Sequence, residues 1–359
     1  MPDWTKSMQQ SFEYYRVDPK TWKDKEKLNH ISSCSITRDL SSETLGSASF
    51  DVTELMDECY VREYLITRQN GFMEKFPLGT HLVQTSSYSF NGKYKKMSLD
   101  GYTPLIELKE KYPTIGYTIP KGENVIETTC SIMSENMRGP VIKPNSLSES
   151  VLQKDFTANV DDTWMTFLSD FIQNSKYSLG LDESCRVIFR PNRSISATQP
   201  IWEFNDDNSS ILCSDIDYES DIYGIPNVIE LFYDSDDSRS ESMHVVVKNE
   251  DPDSILSIPS RGREIIQRIT NPEVPGTPSK EYLEEYARYL LKNSSTVECT
   301  ITYTHGYCPV NVGDCIRLDY KRSGLTDITA RVISQTINCE TGCQVEETAA
   351  FTKSLWNGG

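Results

Sequence analysis

A short block occurs twice in this chain, far apart, and each copy has the spelling of a β unit. The first copy reads Leu78-Gly79-Thr80-His81-Leu82-Val83 and runs on to Asn91-Gly92. The second reads Val312-Gly313-Asp314-Cys315-Ile316-Arg317 and runs on to a turn at Ser323-Gly324. In both, a glycine precedes an alternating strand, a turn follows, and another strand comes after it. Such a duplication predicts two similar β units on one polypeptide, which lets few subunits imitate a larger ring. Glycine before an alternating strand is common, so two unrelated hairpins would give the same spelling.

From about residue 11 to 112 the pattern is mostly period two. Ala48, Phe50 and Val52 alternate with Ser47, Ser49 and Asp51, and Cys34 and Ile36 with Ser35 and Thr37, which describes half-buried strands. Turn signals at Gly46, Asn70-Gly71, Gly79, Asn91-Gly92 and Gly101 come often enough for an antiparallel meander or small barrel. Between about 113 and 191 the period changes. Ile126, Cys130, Met133 and Met137 fall on one helical face, and Trp164, Phe167, Leu168, Phe171 and Ile172 on another, with Asp161 or Asp162 placed to cap the second helix. A strand pair is expected at 177–181 and 185–189 around Asp182-Glu183.

Strands return after Ile201, at 227–233, 243–248, 299–307, 314–320 and 328–337, with Cys299, Ile301 and Tyr303 facing one way and Thr300, Thr302 and Thr304 the other. One helix interrupts them: Thr277 and Pro278 suit an N-cap and first position, and Tyr282, Tyr286, Tyr289 and Leu290 form its packing stripe. The expected fold class is mainly β with an α+β insertion. Two antiparallel β-barrels occupy 1–112 and 200–359, the second with a helix near 278–293, and a small α/β domain occupies 113–199. Strands from distant parts of the chain are free to complete one another's barrels.

The 359 residues suffice for two or three domains. Lys and Arg total 36 against 53 Asp and Glu, a net charge of −17, which argues against a protein that grips nucleic-acid phosphates and suits one past which nucleic acid slides. Neither a signal peptide nor an apolar run of membrane-spanning length is visible, so folding in a cytoplasm is expected. Five of the ten cysteines (Cys299, Cys308, Cys315, Cys339 and Cys343) lie near the C-terminus.

His305, Cys308, Cys315, Cys339 and Cys343 supply soft ligands enough for zinc, but only Cys339 and Cys343 are close in sequence, unlike paired CxxC knuckles. The alternatives are disulfides among Cys308, Cys315, Cys339 and Cys343, or reduced thiols. Cys315 shares a strand face with Arg317 and Asp319, which favours cross-linking over a core role. Asp215, Asp217, Glu219 and Asp221 alternate as in the start of a calcium loop, but the turning glycine and distal Glu are missing. A solvated strand edge explains them as well. The four histidines (His30, His81, His244 and His305) sit in no catalytic motif, so no catalytic residue, metal or cofactor is assigned and no enzyme activity is expected. Arg261 and Arg263 are placed to pair with carboxylates of a neighbouring subunit, or to lie on a solvated loop.

Several segments resemble phage baseplate hub proteins. They are Phe76-Pro77-Leu78-Gly79-Thr80-His81-Leu82-Val83, Tyr88-Ser89-Phe90-Asn91-Gly92 and Ser98-Leu99-Asp100-Gly101-Tyr102-Thr103-Pro104-Leu105, then Tyr223-Gly224-Ile225-Pro226-Asn227, Ser260-Arg261-Gly262-Arg263-Glu264, Arg268-Ile269-Thr270-Asn271-Pro272, Tyr303-Thr304-His305-Gly306-Tyr307 and Val312-Gly313-Asp314. The resemblance spans about Asp39 to Trp356, and its motifs are structural. It implies tail-tube-like barrels duplicated in one chain. Three copies would present six barrels, a pseudo-sixfold ring that joins a hexameric tail tube to a trimeric central spike and forms part of the DNA conduit.

The implied partners are the homotrimer itself, the tail tube, central spike, baseplate wedge and tape measure proteins, and DNA that passes without specific binding. The implied location is the virion tail baseplate, assembled in the host cytoplasm, with spike and lytic functions on partner chains. Rival readings are a cell-envelope hydrolase with an acidic pair such as Asp215 and Asp217, a carbohydrate-binding tail component, and the hub of a contractile injection system.

Overall fold

A computed structural model of the chain describes residues 2–93, 95–144, 150–234, 242–272 and 278–356. The fold is mainly β with a helical insertion, as the periodicities predict. Two compact units are formed, Met1–Ile216 with Thr302–Ala349, and Asp217–Ile301 with Ala350–Gly359.

The first unit is built on a large sheet. Its strands follow the order Asp24–Leu28, Gln9–Val17, Cys59–Gln69, Phe72–Phe90, Lys95–Tyr102, Gly46–Val52, Ile31–Asp39 and Leu325–Asn338, each antiparallel to the next. Cys315–Tyr320 pairs with the other side of Leu325–Asn338 and, in parallel, with Trp202–Asn205. Both copies of the repeated block therefore form hairpins, and Ile36 opposite Ile337 joins their strands in one sheet. Alternation decides which faces are buried: Ala48, Phe50 and Val52 are inside, as are Cys34 and Ile36. At Asn70-Gly71 both residues have positive φ (51° and 83°), the requirement of a tight two-residue hairpin.

Gly79 and Gly101, expected to mark turns, lie inside strands. Each leaves room for a neighbour. A Cβ on Gly101 would meet Phe50 Cε2 at 2.9 Å and His81 Cβ at 3.0 Å, and one on Gly79 would meet His81 Cε1 at 2.5 Å.

The insertion has its own core around helices Val125–Asn136 and Trp164–Ile172 and the strand pair Tyr177–Leu181 and Val187–Pro191. Phe167 is its centre, within ring-contact distance of Tyr117, Phe156, Trp164 and Phe171. The second helix is capped by Thr163, whose hydroxyl accepts from Thr166 N at 3.2 Å, not by Asp161 or Asp162. Asp162 accepts instead from Asn159 N in the preceding turn. The second strand starts at Val187 because Cys185 (φ 52°) belongs to the turn.

The second unit has a three-stranded sheet in the order Met243–Lys248, Val228–Tyr233, Ile266–Thr270. Helix Lys280–Ser294 covers it through Leu283, Ala287 and Leu291, packed with Ile229, Leu231, Val245 and Val247. The predicted stripe divides: Tyr286 and Leu290 pack against the edge of this core, while Tyr282 and Tyr289 are 42% and 59% exposed. Spacing of i, i+4, i+8 sets the buried row, and Ala287 brings helix and sheet close. Thr277 lies outside the described residues. Ser279 is the N-cap, accepting from Tyr282 N at 3.2 Å.

Candidate functional site

The two copies of the block meet at Arg38. In the hairpin Cys59–Gln69 and Phe72–Phe90, Glu63 faces Gly79 while Tyr64 faces Pro77, so Leu78 is an extra residue in a bulge. Its carbonyl accepts from Arg38 Nη2 at 2.6 Å. Arg38 Nη1 donates to Gln335 Oε1 at 3.2 Å and to Asn311 Oδ1, one residue before the second copy. One guanidinium thus fastens both copies, a use of its planar fork that an ammonium cannot reproduce. Arg38, Leu78, His81, Cys185 and Val312 border a cavity of about 30 Å³, room for about one water.

Each copy also stands beside a buried histidine and glutamate. His81 Nδ1 is 3.1 Å from Glu63 Oε1, the side chains 2% and 0% exposed. His305 Nε2 is 3.5 Å from Glu347 Oε2, both fully buried. Glu347 further accepts from Tyr303 OH and from Gln335 Nε2 (2.5 Å), and His305 Nδ1 lies 2.8 Å from Gly306 O, which places a proton on that nitrogen. Gln335 therefore links the His305–Glu347 pair to Arg38. Cys308 Sγ is 3.8 Å from His305 Nδ1. Burial first, then the charge of Glu347, pushes this thiol well above its ordinary value. It stays neutral, and the imidazole has no thiolate to work with. The arrangement braces a sheet. Arg38 and the glutamates were missed in the sequence. The signal for His305 was there, since it continues the inward face of Cys299, Ile301 and Tyr303.

All ten cysteines are free thiols, and Cys308, Cys315, Cys339 and Cys343 are buried. Cys315 is 0% exposed, a core residue beside half-buried Arg317 and Asp319. Cys339 N donates to Cys34 O at 2.8 Å. Among the described residues, no three His, Cys, Asp or Glu side chains are grouped to hold a metal ion, and no helix is long and apolar enough to cross a membrane. Asp215, Asp217 and Glu219 lie exposed along the strand Leu212–Ser220. Arg261 ends a one-turn helix and donates to Ile225 O (2.8 Å) and Ile222 O (2.9 Å), holding its own loop. Arg263 is exposed and has no side-chain hydrogen bond or ion pair among the described residues.

No family model and no curated protein matches the sequence. Solved structures do. The tail protein from Neisseria meningitidis MC58 aligns over 97% of this chain and 98% of its own, with a TM-score of 0.56 at 13% identity. The 43 kDa tail protein of prophage MuSo2 from Shewanella oneidensis aligns over 95% and 98%, with a TM-score of 0.57 at 12% identity. The fold is that of prophage tail proteins, in agreement with the resemblance carried by the sequence segments. A chain of the Francisella PdpA–VgrG complex shares it too, over 96% of this chain and 53% of that one, with a TM-score of 0.53 at 10% identity.

Proposed function

We propose that the chain is a structural hub subunit of a phage tail baseplate. Three copies form a pseudo-sixfold ring that adapts a hexameric tail tube to a trimeric central spike and encloses part of the DNA conduit. The observation that carries this reading is the tail-protein fold shared over nearly the whole length of both partners in the comparison. The repeated hairpin supports it, because a ring of three can show six similar faces only if each chain supplies two. Tail tube, spike, wedge and tape measure proteins are the proposed partners, with DNA passing unbound, and the virion is the proposed location after assembly in the host cytoplasm. Inter-chain disulfides would first require buried cysteines to become accessible; of the two arginines, Arg263 is the one free to meet a neighbour. The hydrolase reading needs Asp215 and Asp217 in a cleft, and both lie exposed on a strand. The likeness to a PdpA–VgrG chain keeps a second reading in view, the hub of a contractile injection system.

Light scattering on the chain, alone and with its spike partner, tests the proposal. A trimer in either condition is expected. A strict monomer in both, which binds or cleaves envelope polymers, would overturn the hub reading in favour of the hydrolase.

A further inference from the structure

The strand Phe72–Phe90 outruns the sheet that it belongs to. Cys59–Gln69 pairs with it only as far as Cys59 opposite Val83, whereas Lys95–Tyr102 follows it to Lys95 opposite Phe90. From residue 84 to 90, one edge of the strand has no strand partner among the described residues, and such an edge is a template for another strand. The ribbon is exposed on both faces. Tyr88 and Phe90 are 66% and 65% exposed, and Lys95 Nζ stands 4.7 Å above the Tyr88 ring. A two-stranded ribbon is marginal in water by itself, and solvent-facing aromatic side chains gain from being covered.

The ribbon has a charge of its own. From Gln84 to Ser98 it carries Lys93, Lys95 and Lys96 and no Asp or Glu, in a chain of net charge −17. The opposite character belongs to Leu212–Ser220, an edge strand whose outer side has no strand partner among the described residues and which exposes Asp215, Asp217 and Glu219. One edge is basic and aromatic and the other acidic, and among the described residues neither has a strand partner on its open side.

We propose that the strand edge 84–90 of one copy docks by strand addition on the acidic edge strand Leu212–Ser220 of a second copy. Lys95 meets Asp215, Asp217 and Glu219, Lys96 being already paired with Asp51 at 3.4 Å, and Tyr88 and Phe90 shield the new backbone hydrogen bonds. Two different surfaces meet, so the contact is heterologous and propagates in one sense until a ring closes. This inference rests on the hub reading, which asks for such a ring.

The test is a charge-swap cycle on the full chain, read by light scattering over a concentration series, alone and with the spike partner. Lys93→Glu with Lys95→Glu, or Asp215→Lys with Asp217→Lys, is expected to weaken association about tenfold, and the combined set to restore it. Tyr88→Ser with Phe90→Ser changes no charge and is expected to weaken association too. A trimer that forms equally well in every variant overturns the ribbon contact and leaves the hub reading intact. A combined set that fails to restore association overturns the pairing with Leu212–Ser220. A wild-type chain that stays monomeric with and without the spike overturns both.

Discussion

Arg38 gathers acceptors that lie far apart in the sequence, Leu78 O on one side and Asn311 and Gln335 on the other. No sequence pattern marks it, because its value comes from a bulge that turns one carbonyl toward it. Cys185 has a similar place between distant segments: its sulfur accepts from Thr80 N at 3.2 Å. Burial holds its thiol up to about 12, from an ordinary value of 9.0. The unfolded chain loses this proton first, so the stabilisation from the neutral thiol is whole below about pH 9 and is lost as pH rises toward about 12. Cys34, Cys308 and Tyr303, also pushed up by burial, act in the same direction. The melting temperature is therefore expected to fall over this window, and to fall less steeply in Cys185→Ala. Parallel curves for the two proteins above pH 9 would show that another group is responsible.

At the scale of elements, helix Lys280–Ser294 tests how burial is assigned. Leu283 is fully buried against the three-stranded sheet and Tyr289 is 59% exposed. Leu283→Ala is expected to cost about 2–5 kcal/mol, and Tyr289→Ala to stay within about 0.5 kcal/mol, as measured by urea unfolding. The reverse ranking would restore the tyrosine stripe. Half of that stripe lies outside the core because tyrosine is amphipathic and suits a surface as well as a core: Tyr286 and Leu290 pack at the edge of the buried row, and Tyr282 and Tyr289 do not. The strands were more legible. Alternation in Gly46–Val52 and Thr296–Gly306 left one face for the core, and a slip of one residue would have put Phe50 or Ile301 in water. Glycine was ambiguous for a physical reason: at Gly71 it permits a positive φ, while at Gly101 it makes room for Phe50 and His81. Caps were legible by residue type and not by position, since Thr163 and Asp162 are equal as acceptors until the backbone decides between them.

For the whole molecule, charge supplies the remaining constraint. A net charge of −17 opposes a phosphate backbone on balance, and among the described residues several arginines are spent inside the chain: Arg38 on the repeat, Arg62 on Thr80 and Asp24, and Arg261 on its own loop. The ribbon is basic, and its lysines and aromatic side chains are also the residue types that hold single-stranded nucleic acid. The two uses exclude one another. If the ribbon is covered by an acidic strand of a second copy, the assembled protein offers DNA no basic track. Fluorescence anisotropy with labelled single-stranded and duplex DNA at low salt is then expected to show no binding by the assembled protein. Binding that is lost in the Lys93→Glu and Lys95→Glu variant would instead make the ribbon a nucleic-acid contact, and would remove both the strand-addition contact and the unbound passage of DNA.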